Sequence, residues 1–437
     1  MVNSRAGRLL AVSALTLAIA LGTPTAHAVT PPDVDDRWLP EPARPTSPWP
    51  TAQREVCATM TADSGPGRNR PANLGDLSAV WQLSRGTGQR VAVIDTGISR
   101  HRRLPDVVPG GDYVSTGDGT QDCDAHGTLV AGIIAATADS NSDNFSGVAP
   151  DATLISIRQS SAKFAPASDR SRTGVGDVDT MAKAVRTAAD LGASVINISS
   201  VACTPVASAP DDRALGAALA YAVDVKNAVV VAAAGNTGGA GQCPPQRGDA
   251  TWQTLTVTVS PAWYDDYVLT VGSVKAEGTP SSFTLAGPWV DVAAPGEAVT
   301  SLGPEPVSGT SYAAPMVSGV AALIRARFPA LSARQVMQRI KTTARHPPAG
   351  WDPLVGNGTV DPLAAVSAGT GAAADGPGPS PRPVPISAPP AVQPRDSRAR
   401  DTALRGAAIC LVALTIALSA GAARGRLRRT GDRVAGD

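Results

Sequence analysis

The stretch Arg90-Val-Ala-Val-Ile-Asp95-Thr-Gly97 joins an apolar run to a carboxylate and then to a turn. A short run of small and β-branched apolar residues is typical of a parallel strand that is covered on both faces. The alternation of such runs with helical patterns predicts an α/β fold with an open, mostly parallel sheet and helices on both faces. The other predicted strands are 153–157, 194–198, 228–233, 269–274 and 290–293, and the predicted helices are 128–137, 178–191, 212–226 and 312–327.

Three motifs supply a carboxylate, an imidazole and a hydroxyl in the order Asp, His, Ser. Asp95 follows the first predicted strand, and the carboxyl ends of parallel strands are where such sheets place their functional groups. His126, in His126-Gly-Thr, and Ser311, in Gly-Thr-Ser311-Tyr-Ala-Ala-Pro, each open an apolar helical pattern. A serine needs a base to act as a nucleophile, and a carboxylate fixes the tautomer of that base. The motifs therefore predict a serine hydrolase with Asp95, His126 and Ser311 as catalytic residues.

His126 is the best candidate for the base among the histidines outside the first 28 residues. His101 lies among arginines, whose charges disfavour its protonated form, and His346 precedes two prolines and belongs to no motif. A further group follows the apolar run at 229–234, which ends in Gly-Asn236. Because an amide side chain there can donate a hydrogen bond to a tetrahedral oxyanion, we expect Asn236 to form the oxyanion hole.

The beginning of the chain has the features of an exported protein. Residues 1–28 combine two arginines, an apolar run and a closing Ala-His-Ala28, which predicts a signal peptide and a mature chain that starts near Val29. Residues 29–73 are rich in proline and lack a periodic apolar pattern. We interpret them as an N-terminal extension that wraps the domain at 74–368, with a removable inhibitory segment as the alternative.

The end of the chain has the features of a membrane anchor. A Pro-rich linker at 369–402 precedes an apolar segment at 403–423, which is long enough for a transmembrane helix. The tail at 424–437 contains five arginines. By the positive-inside rule the tail is cytoplasmic, so we expect a single-pass membrane protein whose domain faces outward.

Four of the five cysteines lie in the part of the chain that is expected to be exported, which favours disulfides. Four cysteines allow three pairings, and pairing of nearest neighbours would join Cys57 to Cys123 and Cys203 to Cys243. The fifth, Cys410, lies in the apolar C-terminal segment. We expect no metal and no cofactor, because the sequence has neither a Cys/His cluster nor an acidic loop with calcium-binding spacing.

Two other classes of protein fit the sequence less well. The formal net charge is +1, so no polyelectrolyte field favours a nucleic-acid partner. Asp95-Thr-Gly is also the motif of aspartic proteases, for which Asp63-Ser-Gly can pose as the second half. Those enzymes need two carboxylates that share a proton. Asp63 lies in an irregular stretch without a flanking apolar strand, and that reading leaves the His and Ser motifs unexplained.

The motifs around Asp95, His126 and Ser311 resemble those of the subtilases, and further motifs resemble the mycosins, which are membrane-anchored subtilisin-like proteases of type VII secretion systems. The resemblance implies a subtilisin-like peptidase domain at 74–368 and a catalytic set of Asp95, His126, Asn236 and Ser311. It also implies the nearest-neighbour disulfide pairing and an extension that wraps the domain without blocking it. The mycosin-like motifs are Gly176-Asp-Val-Asp-Thr, Val195-Ile-Asn-Ile-Ser, Lys226-Asn-Ala-Val-Val and Pro261-Ala-Trp-Tyr-Asp-Asp.

The resemblance implies protein substrates, a membrane and a type VII secretion membrane complex as partners. The expected function is that of a membrane-anchored serine endopeptidase that processes secreted proteins and supports such a system. The alternative is a structural component of the complex, with proteolysis secondary. The sequence departs from the wider subtilases after residue 198, where Ser199-Ser-Val-Ala-Cys203 contains no Gly-Gly pair, so strand-like pairing of substrate with this segment is left open.

Overall fold

The computed structural model describes residues 28–59, 74–139, 145–169, 171–239 and 242–367. Residues 1–27 of the predicted signal peptide lie outside this part of the chain, as do Asp63, the linker, the apolar segment at 403–423 and the tail. Within the described residues, no helix has both the length and the apolar character that are needed to cross a membrane.

Eleven β-strands occur in the described part of the chain, and seven of them form one parallel sheet. The strands are β1 (Thr51–Gln53), β2 (Arg90–Asp95), β3 (Val107–Asp112), β4 (Thr153–Arg158), β5 (Phe164–Pro166), β6 (Val195–Ile198), β7 (Ala202–Pro205), β8 (Val229–Ala233), β9 (Val257–Ser260), β10 (Leu269–Val274) and β11 (Val292–Pro295). The sheet has the order β11-β10-β8-β6-β2-β4-β3, and every neighbouring pair in it is parallel.

The described α-helices cover both faces of this sheet. They are α1 (Ser78–Leu83), α2 (His126–Ala135), α3 (Val178–Asp190), α4 (Arg213–Ala220), α5 (Thr310–Arg327), α6 (Ala333–Thr343) and α7 (Pro362–Val366). Helices α2 and α5 pack together on one face, and α3 and α4 pack together on the other. The predicted α/β fold, with an open parallel sheet between helices, is therefore confirmed.

Strand β2 lies at the point where the order of the sheet reverses. Its neighbours are β4 and β6, and the chain builds the sheet outward from β2 first toward β3 and β4 and then toward β6, β8, β10 and β11. In open α/β sheets the crevice at the carboxyl end of such a switch point is the usual ligand site. Asp95, the last residue of β2, lies at that crevice.

The predicted elements differ from the observed ones mainly at their ends. The strand expected at 290–293 begins later, as Val292–Pro295, and the helix expected at 312–327 begins earlier, as Thr310–Arg327. The helix expected at 212–226 changes after Ala220 into a π-helical turn, Tyr221–Val225. Strand β3 was not predicted, because Pro109 and two glycines interrupt its apolar pattern. It lies at the edge of the sheet, where a strand tolerates proline.

The described residues of the N-terminal extension contact several separate elements of the domain. The backbone N–H of Val29 donates to the carbonyl of Trp252 at 2.7 Å. Arg186 donates to the carbonyl of Pro40 at 3.0 Å. Strand β1 pairs in antiparallel fashion with β5. These contacts are those of a segment that lies along the surface of the domain.

The described part of the chain contains two disulfides, and they follow the nearest-neighbour pairing. Cys57 of the extension is bonded to Cys123, which lies in the loop before α2. Cys203 of β7 is bonded to Cys243. The first bond closes the longer loop, with a sequence separation of 66 residues against 40.

We expect the double substitution Cys57→Ser and Cys123→Ser to lower the free energy of unfolding by about 4 kcal/mol, because it releases the restriction that the loop imposes on the unfolded chain. Denaturant unfolding of the oxidised protein measures this difference. Cys410→Ser is the control, and we expect it to leave the stability unchanged, because neither of the two described disulfides includes Cys410. A loss below about 1 kcal/mol in the double variant would contradict the expected contribution.

Candidate active site

Asp95 and His126 are joined by a hydrogen bond at the carboxyl edge of the sheet. The distance from Nδ1 of His126 to Oδ1 of Asp95 is 2.6 Å. The backbone N–H of Thr96 donates to the same oxygen at 2.7 Å. The side chain of Asp95 is fully buried, whereas that of His126 is 27% exposed. The imidazole is therefore fixed from its inner side and open to the crevice on the other.

Helix α2 approaches strand β2 so closely that only a glycine fits at position 127. A Cβ atom there would lie 2.1 Å from the carbonyl oxygen of Gly97 and 3.2 Å from the Cβ of Asp95. Gly97 has a φ of +102°, a conformation that residues with a side chain rarely adopt. The glycines that follow Asp95 and His126 are thus required by the contact between their two motifs.

The environment of His126 favours its protonated form. Partial burial lowers the pKa of His126, but the charge of Asp95 and the hydrogen bond to it raise the pKa by more, so the pKa lies above the ordinary value of 6.5. Asp122 and Asp124 raise it further. Because Nδ1 is bonded to the carboxylate, Nε2 is the nitrogen that accepts a proton.

Ser311 lies in the first turn of α5 and is 8% exposed. The backbone N–H groups of a first helical turn have no partner within the helix and carry partial positive charge. The next side chain, Tyr312, packs against the imidazole of His126, with ring centroids 5.1 Å apart. The structure therefore brings the start of α5 to the Asp95–His126 pair.

A chain of buried polar groups holds the backbone of Ser311. Pro315 has no N–H, so it cannot donate to the carbonyl of Ser311 as a residue four positions later in a helix normally does. The hydroxyl of Ser199 donates to that carbonyl instead, at 2.9 Å. Asn197 donates to Ser199 at 2.9 Å and accepts from Ser318 at 2.8 Å. From the sequence, Asn197 and Ser199 were identified only as members of longer motifs and no role in the site was predicted for them, although a buried asparagine within an apolar strand is itself a signal that a polar partner exists.

The side chain of Asn236 is oriented by Thr310. The backbone N–H and the hydroxyl of Thr310 donate to Oδ1 of Asn236 at 2.9 and 3.0 Å. An N–H group can only donate, so it identifies Oδ1 as the bonded atom and leaves the amide nitrogen directed elsewhere. A Cβ atom on Gly309 would lie 3.0 Å from Oγ of Ser311 and 3.4 Å from Nδ2 of Asn236. The hydroxyl and the amide nitrogen therefore approach one common point.

The other two histidines of the described residues are engaged in their own loops. His101 accepts from the backbone N–H of Arg103 at 3.2 Å, and the exposed His346 contacts the carbonyl of Asn357 at 2.7 Å. The partner of Asp95 is an imidazole, which does not match the paired carboxylates of an aspartic protease. In the described part of the chain, no group of three or more His, Cys, Asp or Glu residues is arranged to hold a metal ion.

Two segments border the crevice beside this site. The segment after β6 continues as β7, which pairs in antiparallel fashion with β9. The hydroxyl of Ser200 in this segment lies 3.4 Å from that of Ser160, which follows β4. Residues 199–203, which contain no Gly-Gly pair, therefore lead into a paired strand and contact the loop after β4.

Comparisons with known proteins agree with this architecture. The model of the subtilase family matches residues 86–358. The chain is 69% identical to Mycosin-4 of Mycobacterium tuberculosis, over 100% of both chains. The structure of the MycP3 protease from the type VII (ESX-3) secretion system matches with a TM-score of 0.71 and 46% identity, over 78% of this chain and 100% of that chain. A chain of the intact ESX-5 inner membrane complex gives a TM-score of 0.71 and 40% identity, over 90% of this chain and 100% of that one. These matches confirm the expected subtilisin-like fold.

We expect Asp95→Asn to lower the pKa of His126 by on the order of one unit, because the substitution removes the negative charge that stabilises the imidazolium. Titration of the histidine ring protons by NMR measures the shift. His101 and His346 are internal controls, since neither of the interactions described for them involves Asp95. An unchanged or higher pKa of His126 would show that Asp95 does not stabilise the charged ring.

Proposed function

Because the chain belongs to the subtilase family and, within it, to the mycosins, we propose that Asp95, His126 and Ser311 are the catalytic triad of its serine endopeptidase activity. The observation that carries this assignment is the 2.6 Å hydrogen bond between Nδ1 of His126 and Oδ1 of Asp95 at the switch point of the sheet. It is supported by the position of Ser311, whose neighbour Tyr312 contacts the imidazole.

Each of the three groups has a defined part in peptide-bond hydrolysis. The hydroxyl of Ser311 attacks the carbonyl carbon of the substrate, and Nε2 of His126 takes the hydroxyl proton as general base. His126 then donates this proton to the leaving amine as the C–N bond breaks, which leaves the acyl group on Ser311. A water molecule, with His126 again as general base, hydrolyses this ester, and the proton returns from His126 to Ser311. Asp95 holds the ring in the tautomer that presents Nε2 and stabilises the imidazolium that forms during attack.

The negative charge that develops on the substrate oxygen requires donors that are already in place. Nδ2 of Asn236 supplies one donor, because Thr310 occupies Oδ1 and so fixes which way the amide points. The backbone N–H of Ser311, in the first turn of α5, supplies a second donor, and the positive end of the helix dipole adds to its effect. No reorganisation is then needed when the oxyanion forms.

We expect Ser311→Ala to lower kcat for peptide hydrolysis by about a millionfold, because no other group replaces the nucleophile. A fluorogenic peptide assay measures the loss, and labelling by a serine-directed phosphonate locates the nucleophile. The matched control is Ser308→Ala, an exposed serine three residues away that keeps activity and labelling. Retention of activity by Ser311→Ala would refute the triad.

We expect Asn236→Ala to lower kcat by about 100- to 1000-fold with little change in KM, because the lost hydrogen bond forms only in the transition state. Steady-state kinetics with the same peptide separates the two constants. A loss that appears in KM alone would instead assign Asn236 to ground-state binding.

We propose that the peptidase domain at 74–368 acts outside the cytoplasm while it is tethered to the membrane. The signal peptide at 1–28 exports the chain, and the linker at 369–402 connects the domain to a transmembrane helix at 403–423 and a cytoplasmic tail at 424–437. The matched chains in the ESX-5 inner membrane complex and in its periplasmic assembly support this setting. The substrates are secreted proteins, and a type VII secretion membrane complex is the partner.

A second candidate function is that of a structural component of the secretion complex. It is favoured by the match to a chain that was solved within an assembled membrane complex. The two functions are separated by comparing deletion of the whole chain with Ser311→Ala in the native membrane. If secretion survives Ser311→Ala but fails on deletion, the main role is structural. If secretion fails in both strains, the main role is proteolysis.

A further inference from the structure

Asp122 has no place in the triad, yet its carboxylate accepts four hydrogen bonds beside it. Oδ1 accepts from the hydroxyl of Thr96 at 2.8 Å and from the backbone N–H of Asp124 at 3.1 Å. Oδ2 accepts from the backbone N–H of Thr128 at 2.8 Å and from its hydroxyl at 2.7 Å. Both oxygens of this carboxylate are therefore held by donors on two sides.

The directions of these hydrogen bonds are fixed by the groups around them. The hydroxyl of Thr96 accepts from the backbone N–H of Gly127 at 2.9 Å, so its single proton is available to Asp122. The hydroxyl of Thr128 accepts from the backbone N–H of Ser99 at 3.0 Å, so its proton also points to Asp122. The carboxylate then acts only as an acceptor, which is the behaviour of its ionised form.

This network connects the two halves of the Asp95–His126 pair. Thr96 directly follows Asp95, and Thr128 lies in the first turn of the helix that His126 begins. We propose that Asp122 is a positioning residue: it joins the turn after Asp95 to the first turn of α2, and its negative charge favours the imidazolium form of His126. The proposal rests on the proposed function, because it assumes that Asp95 and His126 act in catalysis.

Asp122 also acts on His126 through its charge. Asp122 and Asp124, on the loop before α2, both raise the pKa of His126, in addition to the larger contribution of Asp95 from β2. From α5, the ring of Tyr312 faces the imidazole. Burial raises the pKa of Asp122 above its ordinary value, and the charge of Asp95 adds to this, although the hydrogen bonds from Thr128 and Thr96 oppose the rise.

The decisive variant is Asp122→Asn, which keeps the size of the side chain but removes its charge and places an amide N–H₂ against groups that donate. We expect kcat/KM on its pH plateau to fall about 100-fold, because small displacements of catalytic groups are costly. We also expect the acid limb of the profile to move to lower pH, by less than Asp95→Asn lowers the pKa of His126, because Asp95 makes the larger contribution. The sign follows because His126 loses a charge that favoured its protonated form.

A second variant separates position from charge. Thr96→Val removes one donor to Asp122 and the acceptor for Gly127 but keeps the carboxyl group of Asp122 in place of an amide. We expect kcat to fall about tenfold, as a lost hydrogen bond to a charged group implies, while the acid limb stays where it is in the wild type. Thr96→Val tests the positioning role even if Asp122→Asn does not fold. Full activity of Thr96→Val would overturn that role.

Active enzyme is counted in every sample by titration with a serine-directed phosphonate, so that a smaller folded fraction does not pass for slower catalysis. The control is Asp118→Asn, an exposed carboxylate whose described side-chain hydrogen bonds go only to Thr120. We expect the wild-type profile for it. A per-site profile of Asp122→Asn equal to the wild type overturns the inference. Absence of phosphonate labelling at Ser311 in the wild type overturns the proposed function instead, and this inference with it.

Discussion

The close approach of helix α2 to strand β2 is the constraint on which the site depends. The two elements meet where the carbonyl of Gly97 faces the α-carbon of Gly127, and a Cβ atom at position 127 would lie 2.1 Å from that oxygen. Only at this separation does Nδ1 of His126 reach Oδ1 of Asp95 at 2.6 Å. The electrostatics follow from the same contact, because a buried carboxylate beside an imidazole raises the pKa of the ring despite its partial burial.

The part of the site that contains Ser311 and Asn236 depends on the start of α5, where one of the usual helical hydrogen bonds is missing. Pro315 leaves the carbonyl of Ser311 without a helical donor, and the hydroxyl of Ser199 replaces it. Thr310, one residue earlier, donates to Asn236. The first turn of α5 is therefore bonded to two strand ends: the carbonyl of Ser311 to Ser199, which follows β6, and Thr310 to Asn236, which follows β8. A single rigid element relates both groups to the sheet, which also holds Asp95.

The sequence predicted those motifs in which a close contact or burial allows only certain residue types. Asp95-Thr-Gly and His126-Gly-Thr need their glycines because the two motifs touch, and β8 is apolar throughout because it is buried on both faces. Strand β3 was not recognised, since Pro109 is tolerated only because the strand lies at an edge, and an edge is a property of the folded sheet. Asp122 was missed for a similar reason, because its partners Thr96 and Thr128 become neighbours only after the loop before α2 has folded.

The loop before α2 also attaches the described residues of the extension to the domain. Asp122 accepts hydrogen bonds from Thr96 and Thr128, beside Asp95 and His126, while the adjacent Cys123 is bonded to Cys57 of the extension. The next residue, Asp124, accepts from Ser161 and from the backbone N–H of Ala162, beside the strand that pairs with β1. Three successive residues thus connect the site, the extension and the loop after β4. A disulfide at Cys123 restrains the segment that leads into His126. The extension therefore helps to fix the position of that segment.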